Sequence, residues 1–286
     1  MSEVVNKEEI KETQEMADEK PMEEQNGESE KLTFRPLKRF FRQRAHCNPL
    51  SHNDSFEYPE CPSKMDWSPY YPKFFKGGND EELEKENELH KVSVLDIGCG
   101  YGGLTVALSK ILPDHLCLGL EIRLKVVEYV HLTIQHLREE YPGEYQNISV
   151  LRTNTMKYLM NYIGKGQVDK IFICFPDPQF KEKNHRRRIV SQSLLTEYSY
   201  FLKDGGMLYT ITDVKELGEW HQHHLQSHPS FTYLQPEEYA NDPCAEAIVN
   251  STQEGQKVTR NHGSKYIHIA RKKSISEMQT SVFDLP

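Results

Sequence analysis

Two stretches hold residue types that could do chemistry. In SVLDIGCGYGG, residues 93 to 103, a β-branched and apolar run ends in Asp96, and Gly98, Gly100, Gly102 and Gly103 follow. So little side chain at the end of a predicted strand marks a ligand that needs close backbone approach. In IFICFPDPQFKEKNHRRR, residues 171 to 188, Asp177 stands between Pro176 and Pro178. Proline fixes φ at about −65° and restricts the residue before it, so this carboxylate is held on a stiff loop. The chemistry on offer is a ligand cradled by backbone and, near it, a rigid acid able to read a substrate.

Neighbouring residues narrow the ligand. Gly98, Gly100 and Gly103 satisfy G-x-G-x-x-G, a weak signal alone. Asp96 sits two residues earlier, where dinucleotide sites keep a small or apolar residue, and its carboxylate suits an ammonium or sulfonium rather than a pyrophosphate. Glu121 closes the next predicted strand, where the fold places contacts to ribose hydroxyls. Asn154, after the third strand, stands where an adenine edge is expected. These residues favour S-adenosylmethionine. A plain tight turn with Asp96 as a helix cap, and a nicotinamide or flavin site, stay open.

Asp177 is the candidate catalytic residue, against the plainer reading of a turn with a capping Asp. Behind it run Lys181, Lys183, Arg186, Arg187 and Arg188, and a second basic cluster, Arg35, Lys38, Arg39, Arg42 and Arg44, is mixed with Phe34, Phe40 and Phe41. Basic runs are commonly solvated faces, but Arg interleaved with rings next to a candidate site fits nucleic-acid phosphate. His221, His223, His224 and His228 fall on one predicted helix without a Cys or acid to complete a metal set, so a solvated helix face and no metal are expected.

The elements that must position these residues alternate in type. Strand-like runs cover 92–97, 115–122, 147–154, 168–175, 206–212, 231–235 and 265–272; helical patterns cover 103–112, 123–140, 191–202 and 214–228. Five short apolar strands alternating with helices predict a doubly wound α/β fold, mostly a parallel seven-stranded sheet, with the last two strands as an antiparallel edge.

The 286 residues carry a formal charge of −8, and all of it lies in residues 1–30, where eleven acids face Lys7, Lys11 and Lys20. That segment is expected to be a disordered acidic tail. Residues 31–91 read as an extended basic and aromatic segment ending in a solvated linker at 76–91, residues 92–273 as the main domain and 274–286 as a C-terminal tail. No run is long and apolar enough for a membrane span, no signal peptide is apparent, and the six cysteines lack C-x-x-C spacing. A soluble intracellular protein without disulfides or zinc is expected.

Taken together, RFFRQRAHCNP, MDW followed by YP, DIGCGYGG, LGLEIR, FPDPQFK, LLTEYSYFLKDGG, YTITDV and STQEGQKV, in this order over about residues 37–272, resemble the tRNA (guanine-N7-)-methyltransferase family, in particular the catalytic subunit of its eukaryotic heterodimer. The resemblance implies a class I S-adenosylmethionine-dependent methyltransferase fold, methylation of a guanine in the tRNA variable loop, a nuclear enzyme and a WD-repeat propeller partner without chemistry of its own. It places Gly98, Gly100, Glu121, Arg123, Asn154, Thr155, the Cys174 backbone, Thr252 and Glu254 around the cofactor and makes Asp177 the active-site acid. Gln179, Thr155, Gln253 and Cys47 depart from the family's usual His, Ala, Glu and Ser. A methyltransferase fold that only chaperones RNA is the competing class; the presence of Asp96, Glu121 and Asp177 together argues against it.

Overall fold

The computed structural model describes residues 35–44, 48–50 and 56–278. The expected acidic tail, Cys47 and the last eight residues lie outside them. Seven strands form one sheet: β1 (Val92–Ile97), β2 (Leu116–Glu121), β3 (Ile148–Arg152), β4 (Val168–Cys174), β5 (Leu202–Thr212), β6 (Phe231–Tyr233) and β7 (Tyr266–Lys272). Their order is β3-β2-β1-β4-β5-β7-β6. The first five are parallel, and β7 and β6 add an antiparallel edge. This is the doubly wound, mostly parallel seven-stranded sheet with an antiparallel edge that the alternating pattern predicts.

β1 shows why the sheet forms. All six of its residues are buried, and its apolar side chains divide between two cores. Leu95 and Ile97 enter the core under α4 (Thr155–Tyr162) and α5 (Gln192–Phe201), while Val94 enters the one under α2 (Gly103–Ile111), α3 (Leu124–Glu140) and α7 (Pro243–Asn250). The first core also takes Met65, Trp67, Tyr71 and Phe75, so the aromatic segment before the sheet covers one of its faces. Tyr71 is fully buried and donates its hydroxyl to the Cys117 carbonyl oxygen at 2.8 Å. The expectation that rings lay this segment over the body holds.

Two expectations need correction. Residues 76–91 are not a plain linker, because Asp80–Leu89 is a helix, α1. Asn79 accepts from the Glu81 and Glu82 amides while the Glu82 carboxylate accepts from Asn79, a reciprocal cap that starts the helix despite a single buried residue, Leu83. α6 (Lys215–Ser227) does not present its histidines to solvent alone: His221 is fully buried and His228 nearly so. Leu217, His221 and Leu225 recur every fourth residue and form the stripe that α6 turns inward. Among the described residues no His, Cys, Asp and Glu group is arranged to hold a metal, and no helix is long and apolar enough to cross a membrane.

Both ring nitrogens of His221 are buried without a partner, and burial, then the neighbouring His268, pushes its pKa down to about 3. The folded state therefore refuses a proton that the unfolded chain takes near pH 6.5. Stability from this group is complete above that pH and is lost as the pH falls toward about 3. Replacing it with Leu should remove the linkage and two unpaired polar atoms. In urea unfolding, His221→Leu should gain on the wild type by about 1.4 kcal/mol per pH unit on going down from pH 6.5 to 4.5. A difference that does not change with pH would refute this.

Candidate active site

The carboxyl ends of β1, β2, β4 and β5 open on one cavity of about 560 Å³. It lies where the chain, having stepped outward from β1 to β3, crosses back to place β4 beside β1, the crevice in which open α/β sheets hold ligands. Its walls include Asp96, Gly98, Gly100, Glu121, Asn154 and Asp177, together with Arg123, Thr155, Cys174, Thr252 and Glu254, so all eleven predicted cofactor and catalytic residues meet there.

The glycine turn is what leaves room. Gly98 and Gly100 adopt φ of 73° and 54°, and a β-carbon on Gly98 would stand in open space with nothing within 4 Å. The Gly98 and Cys99 amides are tied to the Leu120 carbonyl oxygen at 2.8 and 3.1 Å, which fixes the turn against β2. Gly103 serves another end. A β-carbon there would lie 2.5 Å from the Ser251 carbonyl oxygen, so only glycine lets the start of α2 touch the joint before α8 (Gln253–Arg260). That joint brings Thr252 and Glu254 to the cavity.

Two carboxylates line the floor. Asp96 is buried and accepts from the Thr105 hydroxyl at 2.7 Å; burial raises its pKa to about 6 in spite of that bond. Glu121 is held more tightly than expected. Its Oε1 accepts from the Ile122 amide, the Arg123 amide and Arg123 Nε, and its Oε2 from Arg123 Nη2 at 2.7 Å. Acceptor capacity toward a ligand thus remains chiefly on Oε2. Arg123 is spent on Glu121, which raises the guanidinium's own pKa first by that hydrogen bond. Asn154 caps α4 by accepting from the Met156 amide and donates to the Pro49 carbonyl oxygen at 2.6 Å. Thr252 caps α8 through the Gly255 amide.

The Pro-Asp-Pro loop leaves β4 under strain. Phe175 and Gln179 both take φ of 49°, a region that bulky side chains occupy at a cost of roughly 1–3 kcal/mol each. Asp177 Oδ1 accepts from the Gln179 amide at 3.2 Å. Arg188 anchors the loop from behind. It is 2% exposed, donates through Nε to the Pro178 carbonyl oxygen at 3.0 Å and through Nη2 to Glu216 at 2.6 Å, and lies over the Trp220 ring at 4.5 Å.

The basic clusters divide by exposure. Arg35, Lys38, Arg39, Arg42 and Arg44 are exposed, with Lys38 over the Tyr101 ring at 4.8 Å and Phe41 edge-on to Tyr129 at 5.7 Å. Lys181, Lys183 and Arg186 are exposed as well. Arg188 is a correction, since its guanidinium is buried and turned to Pro178 and Glu216 rather than to a phosphate on the surface. Arg187 also leaves that surface and lines the cavity. Sequence reasoning missed Asp213, Tyr101 and Pro49 in the wall. Asp213 follows the last residue of β5, so the rule that ligands gather at carboxyl ends could have found it.

Residues 90–268 match the family model described as "Putative methyltransferase". The chain is 47% identical over 264 residues to the tRNA (guanine-N(7)-)-methyltransferase of Xenopus laevis, covering 90% of this chain and 95% of that one. It is 49% identical to the protein of that name from Oryza sativa subsp. indica (85% and 93% covered) and 52% identical to the one from Schizosaccharomyces pombe (81% and 83% covered). With a cleft built at the same end of the sheet that these residues predict, the chain belongs to the tRNA (guanine-N(7)-)-methyltransferase family.

Proposed function

We propose that this protein methylates N7 of a guanine in the variable loop of tRNA, with S-adenosylmethionine as donor and a WD-repeat propeller subunit as non-catalytic partner. The observation that carries the reading is Asp177, held on a strained loop in the wall of the cavity that Asp96 and Glu121 also line. The names of the relatives support the substrate.

The donor set fits such a cofactor. Asp96 offers a buried carboxylate to a cation, Glu121 Oε2 an acceptor to ribose hydroxyls, and the bare Gly98–Gly100 turn a surface for close approach. When bound, S-adenosylmethionine supplies a methyl group already activated on a sulfonium. Guanine N7 is a lone pair without a proton, so the protein needs no general base; it must hold the base in line and exclude water. Asp177 suits that task, because its carboxylate can accept from guanine N1–H and the N2 amino group, which adenine cannot supply, and it faces the positive charge that arrives on the base. The target base would leave its stack to reach the cavity, at a cost of about a few kcal/mol. The exposed clusters at 35–44 and 181–186 would hold phosphates meanwhile. Incubation with unmodified tRNA, with and without the propeller subunit, followed by nuclease digestion and mass spectrometry, should yield N7-methylguanosine; its absence under both conditions would end the proposal.

Since Asp96 is half-protonated at about pH 6 and a cationic ligand favours its charged form, cofactor affinity should rise with pH through about 6 and level off above 7. Calorimetry from pH 5 to 8 should show this rise in the wild type and not in Asp96→Asn. A flat wild-type profile would remove Asp96 from the contact.

Glu121→Gln should weaken cofactor binding nearly as much as Glu121→Ala, about 10-fold or more, because an amide NH₂ would face the Arg123 guanidinium and undo the pair. Wild-type affinity in equilibrium dialysis of either variant would misplace the ribose end.

Asp177→Asn and Asp177→Ala should each lose turnover by about 10²-fold while binding cofactor normally. An amide has one acceptor oxygen, and its NH₂ would meet a donor. Single-turnover rates near the wild type for Asp177→Asn would show that the acid does not read the base.

A further inference from the structure

Arg186, Arg187 and Arg188 are consecutive and have three different environments. Arg186 is exposed. Arg188 is buried and donates to Pro178 and Glu216. Arg187 is half-buried and stands in the wall of the cavity that Asp177 and Asp213 also line. Its Nε is out of reach of water and has no hydrogen-bond partner, and no ion pair to it exists among the described residues. Buried guanidinium donors left unpaired are costly, and in native proteins they call for an explanation. A planar fork of N–H groups beside a ligand cavity is the group that recognises an oxyanion in two-point fashion.

We propose that Arg187 binds a phosphate of the target nucleotide itself, inside the cleft, while the base sits against Asp177. This inference rests on the tRNA reading above and goes beyond it: the cavity then recognises a nucleotide rather than a base, and the phosphate pairs with the guanidinium that Arg187 brings to the cavity wall. The chain supplies the reason for the division of labour. Residue 187 ends the 3₁₀ turn Glu182–Arg187, and at Arg188 the backbone turns extended, with φ −65° and ψ 130°. The two neighbouring side chains therefore diverge, one to the cavity and the other behind the loop. Arg187 and Asp177 would thus address the two ends of one nucleotide from a single segment, 177–188.

The test uses the full chain with its propeller partner, tRNA at saturating concentration and single-turnover methyl transfer. Wild-type transfer is scored first, and its absence sinks the tRNA reading and this inference together. Given transfer, Arg187→Gln should slow it by about 10-fold or more, the usual effect of losing a bond to a charged group, with Arg187→Lys retaining part of the rate. Arg186→Gln should instead weaken tRNA binding. Two tRNAs, each with a neutral methylphosphonate in place of the phosphate 5′ or 3′ of the target guanosine, identify the contact. One of them should slow the wild type as much as Arg187→Gln does and slow Arg187→Gln no further. If neither methylphosphonate is masked by Arg187→Gln, the phosphate contact is refuted. If the variant instead loses S-adenosylhomocysteine affinity while transfer at saturating cofactor is unchanged, the oxyanion is the cofactor's carboxylate and this proposal is wrong. Wild-type rates and affinities throughout would leave Arg187 a solvated wall residue and overturn it too.

Discussion

The missing β-carbon of Gly103 is what allows the two ends of the domain to meet. The Ser251 carbonyl oxygen occupies the space that atom would fill. Any side chain there would push the start of α2 away from the joint between α7 and α8. Thr252 and Glu254 would then move off the cavity, and Lys38, held electrostatically near Glu254, would lose part of its setting. Gly98 and Gly100 act at the same turn but by a different means, since their positive φ bends the chain back against β2 and leaves the floor bare. One short segment therefore clears the floor and admits the far wall.

The charges around the cavity are stabilised in contrasting ways. Glu121 has its charge compensated by Arg123 and two backbone amides. Asp96 has only the hydroxyl and backbone of Thr105, and burial holds its pKa at about 6. A carboxylate kept short of partners loses little solvation when a cation arrives, because burial has already removed its water. Arg188 is the reverse case, a buried cation partnered by a carbonyl, a carboxylate and a ring. Its partners join the Asp177 loop to α6, so the strain at Phe175 and Gln179 is held by contacts outside the cavity.

The mostly parallel sheet with its antiparallel edge was legible because its strands follow simple periods, and Asp96, Glu121, Asn154 and Asp177 were legible from their places at strand ends, whereas Arg123, Thr155, Cys174, Thr252 and Glu254 came from the family resemblance. Strands buried on both faces read as continuous apolar runs, and carboxyl ends of parallel strands gather ligands whatever the ligand is. Helix α1 was not legible from hydrophobic period, since it buries Leu83 alone, although Asn79 and Glu82 carried its start signal. His221 was misread by residue type: its spacing from Leu217 and Leu225 put it on the inward stripe, and a polar name concealed that. The three arginines were illegible for a stronger reason. Nothing local distinguishes them, and their separation comes from where one 3₁₀ turn ends.

A lone-pair nucleophile changes what rigidity is for. Where a base must take a proton, the acceptor has to move between two hydrogen-bonded states, and some freedom is useful. N7 has no proton to give, so the acid opposite needs a single protonation state and a single position. Backbone strain at Phe175 and Gln179, proline on both sides of Asp177 and a buried guanidinium on the Pro178 carbonyl all restrict motion of that one side chain. On the role proposed for Asp177, the loop would be poorly suited to a proton shuttle and well suited to discriminating guanine by two accepted hydrogen bonds. Misplacing a reacting group by about 1 Å can cost about 10²-fold in rate, which would give these constraints on Asp177 a use that their cost in backbone energy requires.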